Sequence, residues 1–441
     1  MLEDTHASVN TVGLRNDQQQ SGEHAMRKQL AILSSGLALA LAGCGGGGSS
    51  GPSVGPVQGE VSVPGIDTTV VYSFDLGVVD PATGLYYVTD RTTMAIDVVD
   101  TNKQQFAMQF KQAFAGCNTG SPTAPTHLPT CAGANNDMSG PDGIDIVGQN
   151  LYIGDVNTVW ILDKTTGALV KKIPVPSTPT FLRADEGCFD ADDNLYGIST
   201  PGADHPFMTF IDTTTQTVVA TLVMDDSTGA NSAGLEACTY DPVTKKFFVN
   251  NDGSTANPRG EMDGFPAAAI VAAKPGPMTL KFASLAGTSI FPLGACDPTG
   301  LTLGPGNDIG SMCRQGNVGD TLTFQILDRT NGHVLANLNI GGGDQITYDS
   351  GSGKWYLADS RWTANGKSCG AGSATCPLTP VIGVVDGPSR TIVTTIPNGN
   401  NSHSIAVASK NQLMLTPFTA PTASGGGQAF PTPGISIFST Q

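Results

Sequence analysis

The sequence is poor in aromatic and basic residues, and this shortage narrows its possible functions. Only 6% of the 441 residues are aromatic, and 22 Lys and Arg stand against 38 Asp and Glu. Because no basic stripe is present, a nucleic-acid partner is not expected. The sequence also lacks a P-loop and any CxxC or CxxCH motif. We therefore expect no nucleotide, haem or flavin cofactor.

Strong helix-forming segments are scarce as well, whereas turn-forming residues are abundant. The chain contains 55 Gly and 29 Pro, and 39% of its residues are hydrophobic. This composition favours an all-β protein over an α/β protein. The formal charge of −16 and the isoelectric point of about 4.6 indicate an acidic surface, which favours solubility and the binding of cations.

The apolar run at residues 30–41 is too short to cross a bilayer as a permanent helix. Arg27 and Lys28 precede it, as in the positive region of a signal peptide. The sequence LAGC at residues 41–44 then resembles the lipobox of bacterial lipoproteins. This resemblance implies that Cys44 is lipidated and becomes the first residue of the mature chain. An ordinary secretory signal is the alternative.

We accordingly divide the chain into three parts. Residues 1–43 are an N-terminal extension with a signal peptide, residues 44–57 are the lipidated Cys and a flexible Gly/Ser linker, and residues 58–441 are the folded domain. Removal of residues 1–43 reduces Lys and Arg from 22 to 19 and Asp and Glu from 38 to 34, which leaves a charge of −15. The predicted location is the bacterial cell envelope, lipid-anchored and facing the periplasm or in the outer membrane.

Cysteine is sparse, but its number and spacing indicate disulfides. Besides Cys44 there are eight cysteines, an even number that suits an oxidising compartment. Their spacing predicts three local pairs, Cys117–Cys131, Cys369–Cys376 and Cys296–Cys313. Cys188 and Cys238 occupy the same position of successive repeats. They either bridge neighbouring sheets or remain small buried thiols.

A repeated pattern of short strands runs through the folded part. Its clearest copy, residues 140–175, divides into four apolar runs separated by turns, which is typical of a four-stranded antiparallel meander. The segment that joins the third and fourth strands has a common pattern: two apolar residues, an Asp, a turn and then an alternating strand. This pattern occurs at residues 98–110, 161–173, 210–222, 326–338 and 384–396. We expect the Asp to accept hydrogen bonds from the amides of its turn.

Seven hairpins supply the first and second strands of the repeats. They lie at residues 74–90, 141–155, 185–199, 235–251, 299–313, 344–359 and 402–417. The repeat length of about 55 residues exceeds that of the usual propeller blade. We expect the surplus in loops such as 112–139, 252–266 and 361–379.

The two ends of the folded part suggest how the repeats close. The last repeat has a third strand at residues 434–438, and residues 59–63 form a spare strand that could complete its sheet. The sequence therefore predicts an all-β fold, a seven-bladed β-propeller of four-stranded antiparallel sheets closed by an N-terminal strand. We expect it to be a monomer.

Short motifs connect the repeats with known propellers. YYVTD, LYIGD and FFVNN, with the VVD and ILD turns, resemble YVTN-type and NHL-type bacterial β-propellers. PDGIDI, DEGCFD and TGLTLG resemble inner strands of the SMP-30/gluconolactonase family. The second resemblance implies metal ligands at the starts of inner strands, where Asp142, Glu186 and Glu236 occupy matching places. Two features depart from that family: it has six blades, and Thr299 stands where it has an Asn ligand.

Acidic residues recur at the start of the innermost strand. The aligned hairpins place there Asp75, Asp142, Glu186, Glu236, Thr299, Asp344 and His403. In a propeller these positions surround one end of the central channel. Crowded carboxylates repel one another, so they would bind a cation, hold protons or face water. We predict a divalent metal site, best suited to Ca²⁺, with the ligands Asp75, Asp142, Glu186, Glu236, Asp344 and His403.

The ends of the second strands should lie beside these starts. We therefore predict a second polar tier on the same face, formed by Asp90, Asp155, Asn251 and Asp359. Candidates for a general base are Asp142, Glu186 and Asp344. Polar, water-filled channels are also common in propellers, so the ring does not by itself require chemistry.

Three functions are compatible with this reading. The first is a lipid-anchored scaffold that binds a protein or small molecule at the channel face, with a cation in the ring. The second is a metal-dependent hydrolase of lactones or esters, in which the metal polarises the carbonyl. The third is a lyase or isomerase of acidic sugars, which the expected shortage of Arg and Lys near the ring disfavours. The scaffold leads, because nothing in the sequence demands catalysis.

Overall fold

The structure, a computed structural model, describes residues 57–70, 72–117, 136–178, 180–224, 234–314, 316–370, 376–419 and 432–441. Its strands form seven sheets, each of which starts with an inner strand and continues outward along the chain. This is the predicted seven-bladed β-propeller. Six sheets have four strands and one has five. The expected lipidation site, Cys44, lies outside the described residues.

The first strand, β1, and blades 1 to 3 have the following bounds. The N-terminal strand is β1 (Val57–Ser62). Blade 1 contains β2 (Phe74–Asp80), β3 (Leu85–Asp90), β4 (Ala95–Asp100) and β5 (Gln105–Lys111). Blade 2 contains β6 (Ile144–Val147), β7 (Asn150–Asp155), β8 (Thr158–Asp163) and β9 (Leu169–Pro174). Blade 3 begins with β10 (Gly187–Asp190), β11 (Leu195–Thr200), β12 (Phe207–Asp212) and β13 (Thr217–Val223).

Blades 4 to 7 complete the domain. Blade 4 contains β14 (Leu235–Asp241), β15 (Lys246–Asn251), β16 (Glu261–Pro266) and β18 (Ser289–Pro292). Between β16 and β18 the chain forms helix α1 (Ala267–Val271) and β17 (Met278–Lys281), and β17 belongs to the sheet of blade 3. Blade 5 contains β19 (Pro298–Leu303), β20 (Asp308–Cys313), β21 (Thr323–Asp328) and β22 (Val334–Leu338). Blade 6 contains β23 (Ile346–Asp349), β24 (Lys354–Asp359), β25 (Val381–Asp386) and β26 (Thr391–Pro397). Blade 7 contains β27 (Ala406–Ala408), β28 (Leu413–Phe418) and β29 (Gly434–Ser439).

The inner strands close a ring around the axis. Each packs against the inner strand of the next blade, from β2 through β6, β10, β14, β19 and β23 to β27, and β27 contacts β2 again. Apolar side chains fill the space between neighbouring sheets. For example, Tyr152 and Ile161 of blade 2 pack with Tyr196 and Ile198 of blade 3. Each sheet thus buries both apolar faces against its neighbours, which no single sheet could do.

The spare N-terminal strand closes the propeller as predicted. Strand β1 pairs antiparallel with β29, with Val61 opposite Ile435. The last blade therefore combines one strand from the start of the domain with three from its end. This pairing removes the exposed edge that β29 would otherwise present.

Glycine allows the inner strands to approach one another at the axis. Between blades 2 and 3, the N–H of Gly143 donates to the carbonyl of Asp185 at 3.1 Å, and a Cβ at Gly143 would lie 2.3 Å from that oxygen. Between blades 5 and 6, a Cβ at Gly300 would lie 2.1 Å from the carbonyl oxygen of Asp344. Larger residues at these two positions would separate neighbouring inner strands.

Blades 3 and 4 depart from the predicted pattern. Residues 252–266 were expected to form a loop, but residues 261–266 are the third strand of blade 4. This strand lacks the Asp and turn that mark its counterparts, so the repeat pattern did not reveal it. After α1, β17 pairs parallel with β13 as a fifth strand of blade 3, and β18 then returns to blade 4. Among the described residues no helix is both long and apolar enough to cross a bilayer.

The Asp that ends five of the third strands has the predicted structural role. The carboxylate of Asp163 accepts hydrogen bonds from the backbone N–H groups of Thr165 at 3.0 Å and Thr166 at 2.8 Å. Hydrogen bonds from Thr166 lower the pKa of Asp163, because they favour its charged form. Equivalent backbone bonds are accepted by Asp100, Asp212, Asp328 and Asp386.

The structure contains the predicted disulfides that fall on described residues. These are Cys296–Cys313, Cys369–Cys376 and Cys188–Cys238. Of the two alternatives for the last pair, the bridge is the one formed, because adjacent inner strands bring the Cα atoms within 5.6 Å. Cys117 is disulfide-bonded, and its predicted partner, Cys131, lies outside the described residues.

Removal of the bridge between blades 3 and 4 should destabilise the domain. The bond joins residues 50 positions apart. Loop-closure entropy then predicts that the Cys188→Ala/Cys238→Ala variant loses about 4 kcal/mol of unfolding free energy, as measured by urea denaturation. The matched variant Cys296→Ala/Cys313→Ala removes a bond between residues 17 positions apart. It should lose about 3 kcal/mol of unfolding free energy. A smaller loss for the first pair than for the second would contradict this account.

Candidate functional site

The starts of the inner strands meet around a cavity of about 260 Å³ at one end of the channel. Of the predicted metal ligands, this axial cavity is lined by Asp75, Glu186, Glu236, Asp344 and His403. Asp142, the sixth, is fully buried beside it and does not line it. The predicted convergence of these side chains therefore follows from the ring of inner strands.

Asp142 and Asp75 are held by an arginine that the sequence analysis did not single out. The Nη2 group of Arg91 contacts Asp75 Oδ1 at 2.9 Å and also donates to Asp142 Oδ1. Ser139 Oγ donates to the same oxygen of Asp142 at 3.0 Å. Burial raises the pKa of Asp142 against the opposing charge of Arg91. For Asp75, burial also opposes ionisation, but Arg91 and His403 lower its pKa below the ordinary value.

Thr299, which departs from the acidic pattern of the ring, has a structural role. It is fully buried, and its hydroxyl donates to the carbonyl of Gly343 at 3.0 Å and to that of Met312 at 3.3 Å. The contact with Gly343 connects the inner strand of blade 5 with the segment that precedes the inner strand of blade 6, and the contact with Met312 lies within blade 5. Blade 5 thus contributes no carboxylate from this position.

The expectation of few basic residues near the ring is wrong. Four arginines line the axial cavity: Arg91, Arg183, Arg314 and Arg361. Arg183 lies 2.8 Å from Asp185, and Arg314 lies 3.3 Å from Glu236 and 3.0 Å from Asp252. A shortage of basic residues therefore no longer argues against an acidic ligand, such as the acidic sugar of a lyase or isomerase.

The sequence pattern did not indicate Arg91, Arg183 or Arg314, whereas Arg361, beside Trp362 after Asp359, was expected on the polar face. Arg91 and Arg314 directly follow the last residues of β3 and β20. The polar tier was predicted from the last strand residue, such as Asp90, but side chains alternate along a strand and the next residue lines the cavity. Asp185 was missed for a related reason. It precedes β10, where strand alternation does not apply, so Asp185 and Glu186 both line the cavity.

The predicted second tier points into the blades and does not line the cavity. Asp90 accepts hydrogen bonds from the N–H groups of Thr92 and Thr93. Asp155 accepts from the N–H groups of Ala115 at 2.6 Å and Gly116 at 2.8 Å and from Trp160 Nε1 at 3.0 Å.

The other two members of this tier are also buried within their blades. Asn251 donates to Asp263 at 2.9 Å. Both carboxylate oxygens of Asp359 are buried without a hydrogen-bond partner in the described part of the chain. Burial alone raises the pKa of Asp359 well above its ordinary value.

Two groups of three carboxylates are close enough to share a cation. The possible ligand oxygens lie within 4.8 Å of one another in Asp75, Asp142 and Asp185 and in Asp185, Glu186 and Glu236. Each carboxylate of the first group contacts Arg91 or Arg183. Two carboxylates of the second group, Asp185 and Glu236, also contact an arginine. In the second group, Glu186 is 9% exposed and has no ion-pair or hydrogen-bond partner for its carboxylate among the described residues. The second group is therefore the better candidate for a cation site.

The carboxylates of this second group are held in an environment that disfavours their charge. Burial raises the pKa of Glu186 well above its usual range, and the nearby charges of Asp344 and Asp185 add to the effect. Burial raises the pKa of Glu236 to about 8, although Arg314 opposes it. Burial likewise raises the pKa of Asp185 despite Arg183. A bound cation would relieve this repulsion.

His403 belongs to the same cavity but is oriented by other contacts. Its ring stacks on Phe74 with centroids 4.6 Å apart, and its Nδ1 lies 2.8 Å from the carbonyl oxygen of Asn401. Its Nε2 lies 3.7 Å from Asp75 Oδ1. The imidazole therefore lies beside Asp75, the carboxylate that Arg91 also contacts.

The channel continues beneath the axial cavity. A second space of about 170 Å³ is lined by inner-strand residues, and Glu186 borders both spaces. Asp145 lies along this lower space and accepts a hydrogen bond from the hydroxyl of Tyr196 at 3.1 Å. Burial raises the pKa of Asp145 to about 7. The side chain of Glu186 is thus placed where the upper cavity narrows into the channel.

Comparison with known proteins supports the fold. No protein-family model matches the chain. No curated protein matches it either. Among solved structures, the chain is similar to Kuenenia stuttgartiensis hydrazine synthase (TM-score 0.57, 11% identity, 82% of this chain and 99% of that chain). It is also similar to U3-55K (TM-score 0.53, 10% identity, 85% of this chain and 100% of that chain). The WD40 repeats of RRP9 are similar as well (TM-score 0.53, 10% identity, 87% of this chain and 99% of that chain).

At these identities the similarity shows the β-propeller fold alone. The structure and its neighbours thus define the class of protein, a seven-bladed β-propeller. The YVTN, NHL and SMP-30 resemblances stay predictions, and the seven blades differ from the six of the SMP-30 family.

The isolated carboxylate of Asp359 predicts an unusual dependence of stability on pH. Because its pKa is raised on folding, the folded protein keeps a proton that the unfolded chain releases. Asp359 therefore makes the unfolding free energy fall as pH rises above the ordinary carboxyl pKa, by up to about 1.4 kcal/mol per pH unit. Asp359→Asn should remove this contribution and stabilise the protein at about pH 8, as measured by urea denaturation over a pH series.

Asp155→Asn is the matched control, because Asp155 uses both oxygens as acceptors. An amide NH₂ group in place of one oxygen cannot accept, so this variant should lose about 1–3 kcal/mol. Stabilisation of the Asp155 variant, or destabilisation of the Asp359 variant at the higher pH, would show that these carboxylates are not in the environments described.

Proposed function

We propose that the protein is a binding scaffold of the bacterial cell envelope whose axial cavity holds a divalent cation or a small cationic ligand. The observation that supports this proposal is the group Asp185, Glu186 and Glu236, whose possible ligand oxygens lie within 4.8 Å of one another. Three oxygen donors at this spacing suit a hard cation such as Ca²⁺, which accepts flexible geometry and completes its coordination with water.

The charge balance around the cavity supports the same conclusion. Among the described residues, seven carboxylates line or flank the cavity: Asp75, Asp142, Asp185, Glu186, Glu236, Asp252 and Asp344. Four arginines oppose them, which leaves a formal charge of −3. The excess is concentrated where Glu186 and Asp344 lack a basic partner among the described residues. A divalent cation would neutralise most of this excess in a partly desolvated site.

Removal of the unpaired carboxylate should weaken cation binding. We expect Glu186→Gln to weaken Ca²⁺ binding at least tenfold, because one charged ligand of three is lost, and Glu236→Gln to act in the same direction. Isothermal titration of the purified domain and elemental analysis would measure this. The matched control is Asp359→Asn, a buried carboxylate that does not line the cavity, and it should keep the wild-type affinity. Absence of Ca²⁺ binding to the wild type would refute the proposal.

A metal-dependent hydrolase of lactones or esters is the second candidate. One observation favours it: Asp344 and His403 line the same cavity as the candidate cation site. A general base would therefore lie close to a substrate carbonyl that the cation polarises. Asp344 and Glu186 are the candidates for that base, whereas Asp142 is engaged by Arg91 behind the cavity. Lactones and esters added to the Ca²⁺-loaded protein separate the candidates, because only a hydrolase would turn them over.

The envelope location depends on Cys44 and is proposed on the strength of the lipobox resemblance. Expression of the full chain in a bacterium should yield a membrane-associated protein that incorporates labelled fatty acid. Cys44→Ser should abolish the label while leaving the propeller folded. Equal labelling of both proteins would show that Cys44 is not the acylated residue. The protein would then be anchored elsewhere or have no lipid anchor.

A further inference from the structure

The antiparallel order of the strands gives each blade a far end, opposite the axial cavity. In blade 6 the inner strand β23 follows Asp344, which lines the cavity, and it ends at Asp349. Register pairs continue from there across the sheet, through Asp349, Lys354, Asp386 and Thr391. A fourth strand that directly follows its third strand therefore starts at the far end of its blade.

Exposed apolar side chains concentrate at this far end. Consecutive pairs of exposed apolar residues lie within the first three residues of the fourth strands in blades 2, 5 and 6: Leu169, Val170, Val334, Leu335, Ile392 and Val393. These six residues are termed the apolar rim. At the cavity end, the large apolar side chains that are exposed among the described residues are Phe181 and Val318, in separate loops. Single exposed apolar residues are ordinary, whereas a pair repeated at one end indicates a contact surface.

Blade 3 shows the same pair under cover. Val219 takes the place of Val170 and Val393 in the aligned repeats. It is only 2% exposed, and the segment between α1 and β17 runs across it, so that a Cβ at Gly276 would lie 2.6 Å from its Cα. Val170 is 47% exposed and Val393 is 52% exposed. The described part of the chain thus covers this position in blade 3 and leaves it open on the apolar rim.

The chain enters the domain at the same far end. Val57, the first residue of β1, lies opposite Phe438, which pairs in turn with Met414. These residues belong to the end of blade 7 that is farthest from His403 and the axial cavity. Cys44 precedes Val57 by 13 positions, and a chain of this length spans at most about 45 Å. A lipid on Cys44 would therefore hold the far end of the propeller close to the bilayer.

We propose that the propeller lies on the membrane surface through its far end, with the apolar rim in contact with lipid. This inference rests on the proposed lipid anchor at Cys44. Apolar side chains at a lipid interface strengthen binding in proportion to the apolar area that they bury, so the rim adds to the anchor. The axial cavity then faces away from the bilayer. Its excess of carboxylates is kept from anionic head groups, which would repel it, and the cavity stays open to solvent.

Tryptophan reporters test this orientation in the full chain, expressed in a bacterium, purified and reconstituted on phosphatidylcholine vesicles. Val170→Trp and Val393→Trp place a reporter on the apolar rim in two different blades. Val318→Trp, in an exposed loop at the cavity end, is the matched control. Brominated phosphatidylcholine quenches a tryptophan that contacts the acyl region. The signal of the wild type, which has three tryptophans, is subtracted from that of each variant.

On brominated vesicles the fluorescence of the two rim reporters should fall by about half or more, because side chains in contact with lipid reach the acyl boundary. The fluorescence of Val318→Trp should stay unchanged. Incorporation of labelled fatty acid and urea denaturation that match the wild type would show that the reporters leave the anchor and the fold intact.

The outcomes separate this inference from the proposed anchor. If the protein floats with the vesicles but the rim reporters are quenched no more than Val318→Trp, the inference is overturned and the anchor stands. Rim emission that shifts to the blue without quenching would show that a protein surface, such as a second copy of the chain, covers the rim, and it would overturn the inference as well. If the wild type does not float with the vesicles, the proposed anchor fails and the inference fails with it.

Discussion

The packing of each inner strand against the next in a closed ring is the constraint on which the fold and the cavity both depend. Sheets with two apolar faces are stable only between neighbours, and the ring gives every blade two of them. The pairing of β1 with β29 keeps this ring closed. Closure also places the start of every inner strand at the same level of the axis. Carboxylates at that level are therefore brought together by the packing of the blades, against their mutual repulsion.

Arginines that pair with the carboxylates reduce this repulsion. Unit charges interact several times more strongly in a partly buried site than in water. An unpaired carboxylate there is costly, whereas one in contact with a guanidinium is tolerated. Arg91, Arg183 and Arg314 neutralise the carboxylates that lie behind or beside the cavity wall. Glu186, Asp344 and Arg361 line the cavity without an ion pair among the described residues, and Glu186 lies beside Asp185 and Glu236 in the candidate cation site.

Aspartate has three roles in this chain, and position relative to the strand end distinguishes them. Asp163, at the end of a third strand, accepts the amides of its own turn. Asp155 and Asp359, at the ends of second strands, point into their blades, the first with partners and the second without any in the described residues. Asp75, near the start of an inner strand, reaches the axial cavity. One residue type thus serves turns, blade interiors and the cavity, because local backbone direction decides where its carboxylate lies.

The sequence by itself determined the parts of the structure that depend on local pattern. Alternating runs and turn residues identified all seven hairpins and the closing strand, because strand period and turn chemistry act over a few residues. Where the local pattern fails, as in β16 and β17, the prediction failed too.

Only the tertiary structure decided which charges are neutralised. Arg91 contacts Asp142, 51 residues away and in the next blade, and Arg314 contacts Glu236 from a neighbouring blade. No local pattern encodes such pairs, since they depend on how the strand ends of different blades meet in space.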